Sequence, residues 1–124
     1  MSNSPEFVIT LAFNKNSEGR VTLAFTAGLA AVDKGVKTAT LLIVDGVHVG
    51  LKGYAEEIDI GEPFLAVKDL MEVYLAHGGE LMACGACWKF NHLSMEEKMP
   101  EVKIITAADI VDFLMHAKSS LQLN

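Results

Sequence analysis

Apolar and polar positions fall along this chain in short blocks that predict strands and helices in alternation. Residues 7–13 (Phe-Val-Ile-Thr-Leu-Ala-Phe) form an apolar run closed by a polar loop at 14–20, which predicts a buried strand. From Val21 to Lys34 the apolar residues recur at helical spacing (Val21, Phe25, Gly28/Leu29, Val32), and Gly35 is placed to end that helix just past its C-cap. Residues 38–44 predict a second strand, closed by Asp45-Gly46. A long loop is expected over 47–62, with glycines at 50, 53 and 61. Pro63 suits the first turn of a helix, where its missing N–H costs nothing. That helix is predicted to run to about His77, burying Phe64, Val67, Leu70, Met71 and Tyr74 and exposing Lys68 and Glu72.

Gly78-Gly79 breaks the helix, and residues 80–83 predict a third strand. Residues 88–99 are mixed in character, with a short helix expected near Ser94-Met95-Glu96-Glu97. Val102-Lys103-Ile104-Ile105 predicts a fourth strand. Thr106 then has the character of an N-cap with Asp109 three residues on, a variant of the capping box. The last helix is expected to bury Ile110, Phe113, Leu114 and Ala117. Strands apolar on both faces, separated by helices, imply a mostly parallel sheet with helices on each side. The expectation is one three-layer α/β domain over residues 1–124, with its core from about 6 to 118.

Composition narrows the function classes. The 124 residues are 51% hydrophobic and 21% charged, which fits a folded domain able to bury a core without disulfides or metal. A net charge of −6 argues against nucleic acid or an anionic membrane as the main partner, and aromatics at 7% argue against a base-stacking surface. The longest weakly polar stretch, 21–32, contains Thr22 and Thr26 and stops at Asp33, short of the roughly 18 apolar residues a membrane span needs. Residues 1–6 hold no basic segment of the secretory type, so the cytoplasm is the expected compartment.

The chain has two cysteines, Cys84 and Cys87, directly after the third predicted strand. In a reducing compartment such a pair is more apt for reactivity or ligation than for a structural disulfide. Ligands of open α/β sheets gather at the carboxyl ends of the strands, which here carry the loops 14–20, 45–53 and 84–88 and the Thr106 turn. Cys84 is expected at the strand end, with Gly85-Ala86 giving it little steric cover. A helix beginning near Cys87 would favour a Cys84 thiolate, and Lys89, His48 and His92 would add positive charge if the fold gathers them. Cys87 remains open among resolving thiol, metal ligand and packing residue. His48 and His92 lie in no spacing typical of zinc sites, so no metal is expected. No proline is placed to form a cis turn opposite the motif in the thioredoxin manner. Asp45-Gly46 and Gly53 suggest a phosphate loop only superficially, because no dinucleotide or P-loop glycine motif is present, and no cofactor is expected.

Three segments together resemble the DsrE/DsrF-like family of sulfur-trafficking proteins, from about Glu6 to Lys118. Leu41-Leu42-Ile43-Val44-Asp45-Gly46-Val47 resembles the family's second strand and Asp-Gly-Val turn. Gly79-Glu80-Leu81-Met82-Ala83-Cys84-Gly85-Ala86-Cys87 resembles the strand that carries its active cysteine. Residues 100–105 with 107–114 resemble its closing strand and helix. The resemblance implies a flavodoxin-like fold and assembly into trimers or hexamers. It also implies a persulfide relay in which Cys84 takes sulfane sulfur from a donor protein and hands it to an acceptor. Where relay members commonly have a small-residue helix start and an Arg-Gly, this chain has Trp88-Lys89-Phe90-Asn91.

The leading expectation is therefore a cytoplasmic sulfur carrier, or sulfurtransferase-like protein, that acts through Cys84. Cys87 serves as auxiliary thiol, and Gly85, Lys89, His48, Asp45 and Gly46 line the approach. The alternatives are an oligomeric ligand-binding or interaction module without transfer chemistry, and a redox or metal-responsive protein using both cysteines. Trp88, Phe90 and Leu93 form either an interface or a buried satellite core.

Overall fold

Five parallel strands in the order β4-β3-β2-β1-β5 make a single sheet in a computed structural model that describes residues 4–124. The strands are β1 Phe7–Leu11, β2 Thr38–Leu42, β3 Glu80–Cys84, β4 Val102–Ile105 and β5 Ser119–Leu123. The helices are α1 Glu18–Asp33, α2 Val67–Ala76, α3 Gly85–Phe90 and α4 Ala107–His116. The reading of residues 1–3 as part of an N-terminus without a basic leader lies outside the described residues. No helix among those described is long and apolar enough to cross a membrane.

Strand side chains alternate between two faces, and each face has its own cover. On one side Ile9, Leu11, Leu42, Leu81, Ala83 and Val102 pack with Val21, Ala24 and Phe25 of α1 and Val67, Leu70, Met71 and Tyr74 of α2. On the other side Val8, Ala39, Leu41, Met82 and Ile105 lie under α4, whose Ile110, Phe113 and Leu114, with the C-cap residue Ala117, are half-buried rather than buried. The expected three-layer α/β architecture is thus present, with every strand parallel. The strand beside β1 at the sheet edge comes last in the chain, whereas flavodoxin itself places its second strand there.

Several boundaries differ from the sequence expectation. α1 begins one turn early, at Glu18, because residues 15–17 already form a 3-10 turn whose Asn14 side chain accepts from the Asn16 N–H. Gly35, at φ 80°, closes α1 as expected. Pro63 does not open α2. It sits in a turn closed by the Phe64 N–H donating to the Gly61 carbonyl, and the helix starts at Val67, whose N–H donates to the Ile58 carbonyl. Phe64 accordingly lies outside the helix and is exposed. The expected loop at 47–62 contains 3-10 turns at Val44–Gly50 and Ala55–Glu57. The short helix near residue 95 is a 3-10 turn, Met95–Glu97, with a complete Ser94/Glu97 capping box. The Thr106/Asp109 box at the start of α4 is also complete. β5 lies beyond the expected core limit, and its polar sequence, Ser-Ser-Leu-Gln-Leu, hid it.

Candidate functional site

β3 runs into α3 without a linker. Cys84 is the last residue of β3, pairs in register with Ile105 of β4, and is also the N-cap residue of α3. Gly85 lets this junction pack closely on β4, since a Cβ there would lie 3.0 Å from the Ile104 side chain, which would have to give by a few tenths of an ångström. Both cysteines are free thiols. Cys84 is only 6% exposed, while Cys87, one helical turn on, is half-buried and packs against the main core.

The 3-10 turn after β2 packs on both β3 and α3 and supplies the other wall of the site. Its first residue, Val44, has φ 53°, the left-handed region, which costs a β-branched residue about 1–2 kcal/mol. The Val44 side chain is 53% exposed, so burial does little to offset that cost. The conformation aims the Val44 N–H at Cys87 Sγ, 3.2 Å away. Asn91, the C-cap residue of α3, donates from Nδ2 to the Val44 carbonyl at 3.3 Å and to the Cys87 carbonyl at 2.8 Å.

The electrostatics of Cys87 follow from these neighbours. Burial pushes its thiol above the usual range, and the Val44 N–H pulls it back. The neighbouring Cys84 thiol and the Asp45 carboxylate push it up further. The charge that bears on Cys87 is therefore negative. Lys89 is exposed on the last turn of α3, and His92, also exposed, follows in the left-handed conformation at φ 58°.

The other expected site residues are more dispersed. Gly46 is buried beneath the turn, where a Cβ would meet the Leu11 carbonyl at 2.0 Å, so it serves close backbone packing. His48 Nδ1 lies 3.0 Å from the Asp45 carbonyl, which can only accept, so Nδ1 is the donor of that bond. The His48 ring faces the β1 loop, with Asn14 Nδ2 3.4 Å from Nδ1 and the Tyr54 ring centroid 6.0 Å away. Tyr54 accepts the Lys15 N–H at 2.9 Å and lies under the Lys15 ammonium, which also pairs with Glu57. Trp88 is no interface residue: it is 2% exposed, and its indole N–H donates to the Ser94 carbonyl at 3.3 Å. Leu93 is half-buried against the same core, whereas Phe90 is 83% exposed. Among the described residues no three His, Cys, Asp or Glu side chains converge as a metal site. A hollow of about 590 Å³ lies on the flank, between the Leu51–Lys52–Gly53 segment and Met71 and Leu75 of α2.

Sequence reasoning reached both cysteines and missed Val44 and Asn91. Val44 carries no signal, because a valine at positive φ contradicts its own preference. Asn91 stands four residues after Cys87, a spacing that shares a helix face, but its bonds go to backbone.

The family model described as DsrE/DsrF-like matches residues 8–123, nearly the whole chain and all five strands but for the first residue of β1. The chain belongs to the DsrE/DsrF-like family. A relative of this DsrE/DsrF-like chain, the uncharacterized protein MK0008 of Methanopyrus kandleri, is 32% identical over 109 residues, 86% of each chain. Among solved structures, the ychN protein from E. coli superposes with a TM-score of 0.78 at 18% identity, covering 95% of this chain and 98% of its own. MTH1491 from Methanobacterium thermoautotrophicum, a protein of unknown function, superposes with a TM-score of 0.65 at 12% identity, covering 94% and 95%. At those identities the likeness is one of fold.

Proposed function

We propose that this DsrE/DsrF-like protein is a cytoplasmic carrier of sulfane sulfur, loaded on Cys84 and discharged to a partner protein. The observation that carries the reading is the pair of free thiols, one helical turn apart, at the carboxyl end of β3. That is the strand end at which the family's relay members bear their active cysteine. In loading, the Cys84 thiolate attacks the outer sulfur of a donor persulfide or polysulfide. The donor's S–S bond breaks, the donor leaves as a thiolate, and Cys84–S–S⁻ forms. In delivery an acceptor thiolate attacks the outer sulfur and Cys84 leaves as thiolate. Neither step needs an oxidant.

Cys87 offers a second exit. Its thiolate attacks the inner sulfur of the Cys84 persulfide, hydrosulfide leaves, and a Cys84–Cys87 disulfide remains for an external dithiol to reduce. Asp45, His48 and Lys89 belong to the approach to the pair. Assembly as a homotrimer or homohexamer is part of the same reading, supported by exposed apolar side chains at Val44 and Phe90 on the elements that hold the thiols.

Intact-protein mass spectrometry tests it, after incubation with polysulfide or thiosulfate, on wild type, Cys84→Ser and Cys87→Ser. The expected result is a gain of about 32 Da, one sulfur atom, that Cys87→Ser retains and Cys84→Ser loses. No addition on any of the three, with both thiols open to alkylation, would replace the carrier by a binding or assembly module.

A further inference from the structure

Cys87 packs on the main core, but Val44, which bonds to it, does not, and Val44 is held in a conformation valines avoid. Val44 sits at φ 53° with its side chain half in solvent. Its N–H and C=O are engaged on the same partner helix: the N–H by Cys87 Sγ at 3.2 Å, the C=O by Asn91 Nδ2 at 3.3 Å. Asn91 also donates to the Cys87 carbonyl at 2.8 Å. Both Asn91 partners are carbonyl oxygens, which only accept, so the amide nitrogen alone can face them. One side-chain amide therefore ties the residue that carries the thiol to the residue that donates to it.

We infer that Asn91 is a positioning residue, holding the Val44 amide on Cys87 so that the Cys87 sulfur is kept within reach of Cys84. The inference deepens the proposed function and rests on its reading of Cys87 as the thiol that closes onto Cys84. Aspartate has the same shape as asparagine and lacks the donors, so Asn91→Asp should release the Val44 carbonyl and leave the Val44 N–H free to turn from the sulfur. Alanine does the same without adding charge beside Asp45. With the sulfur free to wander, the effective concentration of Cys87 at Cys84 falls, and the disulfide becomes harder to form.

The test is a glutathione redox titration of the full chain, with the Cys84–Cys87 disulfide counted by mass spectrometry after alkylation of remaining thiols. Each disulfide formed reduces one glutathione disulfide to two glutathione thiols. Asn91→Asp and Asn91→Ala are expected to lower the equilibrium constant for ring closure about tenfold, about 30 mV for a two-electron couple. The midpoint of thermal unfolding of the reduced protein should stay near that of wild type. The alanine variant keeps the test decisive should the aspartate fail to fold. An equilibrium constant equal to wild type in the folded variants, or no disulfide in wild type at any glutathione ratio, overturns the inference. The titration involves no sulfane sulfur, so it separates the two ideas. Loading of Cys84 with an unmoved equilibrium removes the positioning role alone; a tenfold shift without loading removes the carrier reading alone.

Discussion

At the scale of single residues, the site is governed by what surrounds Cys87. Its thiol is held above the usual range first by burial and then by the Cys84 thiol and the Asp45 carboxylate, with the Val44 N–H opposing all three. Alkylation proceeds through the thiolate, so the sign of the outcome follows. The pH–rate profile of Cys87 with iodoacetamide should lie to the alkaline side of that of a free cysteine. Cys84→Ser removes the neighbouring thiol and should move the profile back toward lower pH, but not fully, because burial remains. Residue-resolved mass spectrometry across pH 6 to 10 (about the range a thiol titration needs) reads both; a wild-type profile on the acid side would contradict the geometry. Cys84 and Cys87 could be found from sequence because a cysteine pair at a strand exit is rare and local. Val44 and Asn91 could not, since what matters there is a backbone angle and two carbonyls brought together by the fold.

Elements are fixed by side chains that reach between them, and Tyr74 of α2 is the clearest case. Its ring lies against Gly79 and Gly28, where added Cβ atoms would stand 2.3 Å and 2.9 Å from it, and meets Phe25 edge-on at 5.9 Å. Its hydroxyl donates to the Glu80 carbonyl at 2.7 Å and accepts from Thr40 Oγ1 at 3.0 Å. One buried phenol thus joins α2, the start of β3 and the middle of β2. Burial pushes its hydroxyl far above the usual tyrosine range, so it stays a donor at neutral pH. Tyr74→Phe keeps the ring and strands the fully buried Thr40 hydroxyl. Urea denaturation is expected to show a loss of about 1–3 kcal/mol, with the slope unchanged. A loss below about 0.5 kcal/mol would mean that Thr40 finds another acceptor. Helical spacing correctly picked out Val67, Leu70, Met71 and Tyr74 as the inner face of α2. It failed at Pro63 and Phe64, because a proline suited to a helix start is equally suited to the turn that it occupies here.

For the whole molecule, the sheet's weakest design point is the strand that the sequence concealed. β1 is apolar but for Thr10 and lies one strand in from the edge, with β2 on one side and β5 on the other. β5 covers it in register from Phe7↔Ser119 to Leu11↔Leu123, and the Ala12 N–H continues the ladder to the Leu123 carbonyl. Its exposed Ser119, Ser120 and Gln122 are what an edge strand should present to water, and they are also why no apolar pattern announced it. Removing β5 would turn β1 into a bare edge: the Ala12 N–H loses the Leu123 carbonyl, and the backbone groups of Val8 and Thr10, on the same side of the strand, lose their ladder. A chain ending at Lys118 should therefore unfold at lower urea and scatter light increasingly with protein concentration. Leu121→Lys, which leaves the backbone ladder in place, should lose some stability without scattering. The cysteine pair is at the end of β3, separated from β5 by β2 and β1. The alkylation profile of Cys87 in monomeric truncated chain should thus match wild type. If it shifted instead, β5 would be holding the 44–50 turn against α3 as well as closing the sheet.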